Sequence, residues 1–154
     1  MDRSQGGRAN MTGNRLEQVI ESCLMDCGYE KYPNKRELGL MAEAEKPVYC
    51  TQVTIGNNIY DTALKCDFLL FHPQKWPNGL VIEAKWQQVG GSVDEKYPFL
   101  VLSIRKSLFE TILLLDGGGY RPGAEQWLRR QTDSKLLRVF NLTEFITWVN
   151  QGNL

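Results

Sequence analysis

The chain has 154 residues, 42% of them hydrophobic and 23% charged, in the range of one ordinary soluble globular domain with its own core. No run of about 18 apolar residues is present, which excludes a membrane-spanning helix. Eighteen basic residues balance 18 acidic ones, so any phosphate binding must come from a local patch rather than from overall charge.

Residues 1–12 lack an apolar signal core and read as a polar, mobile tail, with 13–154 as a single cytoplasmic domain. From Gly13 to Gly28 the pattern predicts a helix. Leu16, Ile20, Cys23, Leu24 and Cys27 form one apolar stripe. Asn14 stands as N-cap with Glu17 in capping-box position, and Gly28 is the stop. The four cysteines, Cys23, Cys27, Cys50 and Cys66, include no C-x2-C pair, so they read as reduced, mostly buried thiols rather than a zinc site. Tyr29 to Pro47 is polar, mixed in charge and long for a structureless loop, which places a short helix near Leu38 to Glu45.

Val48 to Ile55 reads as a strand whose alternation slips once. Gly56-Asn57-Asn58 follows as a hairpin turn, with Ile59 and Tyr60 beginning the return. Cys66 to His72 is an apolar strand carrying Asp67 near its start. His72, the only histidine, cannot build a histidine metal site alone. Lys75 to Gly79 is turn chemistry joining two antiparallel strands. Leu80-Val81-Ile82 then leads into Glu83-Ala84-Lys85-Trp86-Gln87. Period two puts Glu83, Lys85 and Gln87 on one face of this strand. Three polar groups on a buried strand are costly unless satisfied or used. If the two strands pair, Asp67 meets Glu83 and Lys85, giving two carboxylates for a divalent metal and an ammonium for a phosphate or a water. A bulge after Lys85 would bring Gln88 to that face instead of Gln87.

Ser92 reads as the N-cap of a helix running to about Ser107, with Glu95 in capping-box position and Pro98 in its first turn. Lys96, Arg105 and Lys106 are candidates for phosphate contact, and each is also readable as ordinary surface charge. Glu110 to Asp116 is a buried strand. Gly117-Gly118-Gly119 matches no phosphate-loop pattern and reads as a turn. Ala124 to Gln131 is a helix carrying Arg129 and Arg130, Leu136 to Phe140 a strand, and Asn141 the start of a last helix.

The first six elements therefore run αβββαβ. With Asp67 as a first acid, Glu83-Ala84-Lys85 as E-x-K and Gly91-Ser92-Val93-Asp94-Glu95-Lys96 downstream, the chain resembles the PD-(D/E)xK, or restriction-endonuclease-like, nuclease superfamily. Lys65-Cys66 stand where the family name has its proline. The resemblance implies an α/β (α+β) fold with a central mixed sheet flanked by helices. It implies a metal-dependent DNA endonuclease in which Asp67, Glu83 and the backbone carbonyl of Ala84 or Ile82 hold Mg²⁺, with Mn²⁺ able to substitute. Lys85 would orient or help deprotonate the attacking water, Gln87 would position water or phosphate, and Glu17 would act at or beside the metal. Ser92, Lys96, Arg105 and Lys106 are then nucleic-acid contacts, with Arg129, Arg130 and part of Lys31 to Lys46 extending the patch. The implied partners are DNA and a second copy of the chain, as a homodimer or higher homo-oligomer, with no membrane. A restriction- or homing-type enzyme is the first reading, and a Holliday-junction resolvase or repair nuclease the second. The rivals are a catalytically silent nucleic-acid-binding module and a plain Glu83–Lys85 salt bridge in a non-enzymatic domain.

Overall fold

Six strands lie side by side in the order in which they occur in the chain. The structure, a computed structural model, describes residues 4–33, 38–87, 90 and 94–154, with side chains from Asn14 onward. The elements are α1 (Ser4–Asp26), β1 (Glu30–Lys31), α2 (Leu38–Ala42), β2 (Val48–Asn57), β3 (Ala63–His72) and β4 (Trp76–Trp86). A 3-10 turn (Asp94–Lys96), α3 (Tyr97–Lys106), β5 (Glu110–Asp116), α4 (Pro122–Arg129), β6 (Leu136–Phe140) and α5 (Leu142–Asn150) complete them. β2, β3 and β4 form an antiparallel meander. β5 and β6 add in parallel through α3 and α4, and β1 pairs in parallel with β2 at the other edge. The expected αβββαβ order and mixed sheet are both present, with β1 as a two-residue addition that its short polar sequence did not signal.

Alternation along the central strands decides what covers each face. Phe68, Leu70, Leu80, Ile82 and Leu114 pack against Leu16, Ile20 and Leu24 of α1 and Phe145 of α5. On the other face Leu113 and Leu115 meet Tyr97, Val101 and Ile104 of α3 and Leu128 of α4, while Leu69, Phe71 and Val81 meet Met41 of α2. Burial of each such side chain contributes about 1.5–3 kcal/mol. No helix among the described residues is long and apolar enough to cross a membrane.

Several local expectations change. Helix α1 begins at Ser4, so Asn14 and Glu17 lie in its interior and form no cap. Gly13 does not end the helix because an interior glycine costs only about 1 kcal/mol. The β2–β3 turn comes later than Gly56: Asn57 pairs with Ala63, and the Asn58 Oδ1 accepts from the amides of Tyr60 and Thr62 at 2.9 and 3.2 Å. Ile59 and Tyr60 are thus at the hairpin tip, held by a side chain that mimics a backbone turn. β4 starts at Trp76, and its turn is closed by His72, whose Nδ1 accepts from the amides of Gln74 and Lys75. α3 starts at Tyr97 after the 3-10 turn and has Pro98 in its first turn, as required.

Candidate active site

The site lies where two strands change face together. In β2, Val48 and Cys50 contribute to the α2-side core before Gln52, and Val53 and Ile55 do so after it. In β3 the same core takes Leu69 and Phe71 on one side of Asp67 and Cys66 on the other. Gln52 has φ 52°, a left-handed conformation uncommon for a side-chain-bearing residue. This is the physical content of the slip in alternation read from the sequence.

Beyond that point the regular β3–β4 ladder, which runs Leu70↔Leu80, Leu69↔Val81 and Phe68↔Ile82, gives way to side-chain bonds. The amide of Asp67 donates to the Glu83 Oε1 at 2.8 Å. The amide of Ala84 donates to the Asp67 Oδ2, also at 2.8 Å. Each acid is therefore oriented by a main-chain donor on the opposite strand. The Gln52 Nε2 donates to the second Asp67 oxygen at 3.1 Å. The Lys85 Nζ stands 3.5 Å from the Glu83 Oε2, with 38% of its side chain exposed against 10% for Glu83. Strand β4 brings Glu83 and Lys85 to one face, as period two required, and pairing with β3 brings Asp67 to them.

Burial, then the neighbouring charge of Asp67, pushes the Glu83 carboxyl up to about 7, with Lys85 pulling the other way. Glu17 on α1 is also raised, by burial and then by Asp67, while Lys85 opposes. Glu17 thus feels the site's charges, but no three Asp, Glu, His or Cys side chains converge as a ready ligand cluster among the described residues.

The donor set fits a hard cation. It is made of carboxylate oxygens, and magnesium needs only one or two carboxylates because it keeps several waters. A buried carboxylate disfavoured by its acidic neighbour is the electrostatic situation that a cation relieves. Among the described residues the cysteines take part in no group of three or more metal-ligating side chains. All four lack disulfides, Cys50 and Cys66 are buried, and burial pushes the thiols of Cys23, Cys27 and Cys66 up.

Gln87 has other work. It follows the end of β4, is only 4% exposed, and accepts from the Tyr97 hydroxyl at 2.9 Å. Its side-chain amide donates to the Gly119 carbonyl at 3.3 Å, and its backbone bonds Asp116 and Gly119. It ties β4 to α3 and to the glycine turn, and no bond joins it to Asp67, Glu83 or Lys85 among the described residues. Gly117 (φ 102°) is required there, since a Cβ would come within 2.5 Å of the Gln87 carbonyl oxygen. Tyr97 is the support that the sequence reading missed. Its signal was the general need of a buried tyrosine hydroxyl for a partner.

The expected basic patch is largely committed within the fold. Arg105 pairs with Asp133 at 2.7 Å, and Lys106 with Asp61 at 2.6 Å and the Asn58 carbonyl at 2.9 Å. Arg129 bonds Glu125, Glu144 and the Val139 carbonyl. Lys31 and Lys46 pair with Glu21 and Glu30. Lys96 is exposed and makes no ion pair among the described residues. Ser92 and Gln88 lie outside the described residues. A cavity of about 380 Å³ opens beside Glu83 and Lys85, between β3, β4 and α3.

A family model described as a PD-(D/E)XK nuclease superfamily domain matches residues 8–153. No curated protein and no solved structure matches the chain.

Proposed function

Because the chain belongs to the PD-(D/E)XK nuclease superfamily, we propose that it is a metal-dependent endodeoxyribonuclease acting through Asp67, Glu83 and Lys85. The observation that supports this reading is the reciprocal pair of bonds, Asp67 amide to Glu83 and Ala84 amide to Asp67, which ties the two acids together with Lys85 beside Glu83. Asp67, Glu83 and the carbonyl of Ala84 would hold Mg²⁺, for which Mn²⁺ can substitute. Bound there, the ion supplies Lewis-acid charge to a phosphate oxygen and lowers the pKa of a coordinated water.

The chain's own residues do the rest. Gln52 and the Ala84 amide fix the Asp67 carboxylate, so little reorganisation is needed when substrate arrives. Lys85 is part exposed and leans on Glu83. Its ammonium donates to phosphate oxygens as negative charge builds on them, and it orients the attacking water. Glu17 adds negative potential from α1 and would act at or beside the metal. Gln87 and Tyr97 position the strand that carries Lys85 without touching substrate.

Restriction- or homing-type cutting of both strands requires two such sites, which points to a homodimer or higher homo-oligomer acting on cytoplasmic DNA. A junction resolvase or repair nuclease would use the same three residues. The test is digestion of supercoiled, linear and branched DNA with Mg²⁺, with Mn²⁺ and with chelator. Cleavage that chelator abolishes supports the reading. Failure to cut any DNA or RNA in Mn²⁺ overturns it in favour of a silent nucleic-acid-binding module.

A further inference from the structure

We propose, resting on the nuclease reading above, that the cavity beside Glu83 and Lys85 receives an unstacked nucleobase next to the scissile phosphate, so that the enzyme selects DNA with unpaired nucleotides at the cut. At about 380 Å³ the cavity has the size of a small-ligand site. Its walls are mainly apolar, with Leu64 from β3 facing Phe99, Leu100 and Ile104 from α3. Such a lining suits the flat π-face of any base and gives few partners to water.

The charges are placed where the backbone of that nucleotide would run. Glu83 and Lys85 are among its lining residues, so a phosphate held by the catalytic residues lies beside it. Lys65 and Lys96 line the cavity as well, both exposed and neither in an ion pair among the described residues. They contrast with Arg105, Lys106 and Arg129, which are neutralised within the fold. An apolar slot bordered by uncommitted lysines is complementary to a nucleotide, whose base is flat and whose phosphate is anionic.

The cavity stands before any ligand enters. The β2–β3 hairpin tip is fastened to α3 by Lys106, which bonds Asp61 and the Asn58 carbonyl. Tyr60 from the tip stacks on Phe99, with ring centroids 5.2 Å apart. A base inside a duplex must break its pair and its stack to reach such a slot, whereas an unpaired or mismatched base loses far less. That difference is the source of the selectivity. It favours the junction or repair branch of the proposed function over the restriction or homing branch.

The experiment compares a fully paired duplex with the same duplex carrying a central bulge of unpaired nucleotides. Binding is read by fluorescence anisotropy in chelator, and cleavage by rate in Mg²⁺. The wild type is expected to favour the bulged DNA by about tenfold in both readouts. Leu100→Trp and Leu64→Trp fill the cavity from opposite walls, and each should bring that ratio close to one by weakening the handling of the bulged DNA. Thermal unfolding establishes which variants retain the fold. Should both filled variants lose it, Phe99→Ala removes the aromatic wall and should lower the same ratio. Equal handling of both DNAs by the wild type overturns the proposal, as does an equal loss on both DNAs in a folded variant. If no DNA is cut, the nuclease reading fails, and the anisotropy ratio still decides the base site on its own.

Discussion

The main-chain amide of Asp67 is bonded to the carboxylate of Glu83 at 2.8 Å. One acid of the site is therefore the hydrogen-bond partner of the other acid's backbone. The two cannot be treated as independent ligands, because moving either side chain releases a buried donor. Glu83 bears two opposed demands: it must accept this bond, and it must carry charge in a buried place beside Asp67.

Stability of the metal-free protein should fall as pH rises from about 4.5 to about 7. Glu83 ionises near 4.5 when unfolded and near 7 when folded. In that window the folded state binds more protons, so raising the pH favours unfolding. A raised carboxyl of this size corresponds to roughly 3 kcal/mol at most. Glu83→Gln keeps an acceptor for the Asp67 amide and removes the charge, so it should flatten the slope and be more stable than wild type above pH 7. Urea titrations between pH 5 and 8 in chelator measure this, and an identical slope in both proteins refutes it.

A divalent cation should reverse that penalty. Mg²⁺ at a hundred times its dissociation constant would stabilise the wild type by about 2.7 kcal/mol. Asp67→Ala and Glu83→Ala should show much less of this shift. Thermal unfolding with and without Mg²⁺ reads it directly. The same shift in all three proteins would move the ion away from these residues.

Lys85→Ala should lower the cleavage rate by about 10²–10³-fold, the usual loss for removing one donor to a developing anion. Folding should change little, because the Lys85 side chain is part exposed. Asp67→Ala and Glu83→Ala should lose cleavage more completely. If Lys85→Ala unfolds the protein instead, the Glu83–Lys85 pair is structural.

Lys65→Ala and Lys96→Ala should each weaken DNA binding and together lower the salt dependence by roughly two counterions. Arg129→Ala should act on stability instead, since its charge is held by Glu125 and Glu144 inside the fold. Binding isotherms at several salt concentrations, set beside melting curves, separate the two classes. An Arg129 variant that binds poorly with an unchanged melting temperature would contradict the division.

Gly117→Ala should destabilise by about 1–3 kcal/mol from backbone strain alone. The added Cβ also meets the Gln87 backbone. Tyr97→Phe should cost about 1–2 kcal/mol, because it strips a buried Gln87 acceptor of its donor. Denaturant unfolding checks both, and neutral effects would mean that the end of β4 is anchored elsewhere.

What was legible in the sequence follows the range of each interaction. Glu83 and Lys85 share a face because strand geometry is local, and Asp67 joins them because a short connection forces neighbouring strands to pair. Gln87 was read as a group for water or phosphate, while the structure gives its side chain the Tyr97 hydroxyl and the Gly119 carbonyl as partners, both remote in the chain. Ala84 was read for its carbonyl, while its amide is what orients Asp67. The slip in β2 was visible, but its meaning required knowing that Gln52 sits across from Asp67. The partners of the basic residues were hidden for a different reason. Whether Arg105 or Lys106 is free depends on Asp133 and Asp61, which are remote in the chain and carry no local signature.

The order of the strands also sets how the site comes into being during folding. Each strand pairs with its sequence neighbour, and Asp67 and Glu83 are close along the chain. The entropy lost in closing so short a loop is small, since it grows only as the logarithm of loop length. Contacts of such low order form rapidly once a hairpin nucleates. The two acids are thus both carried by the meander itself, and neither is supplied by β5, β6 or α5.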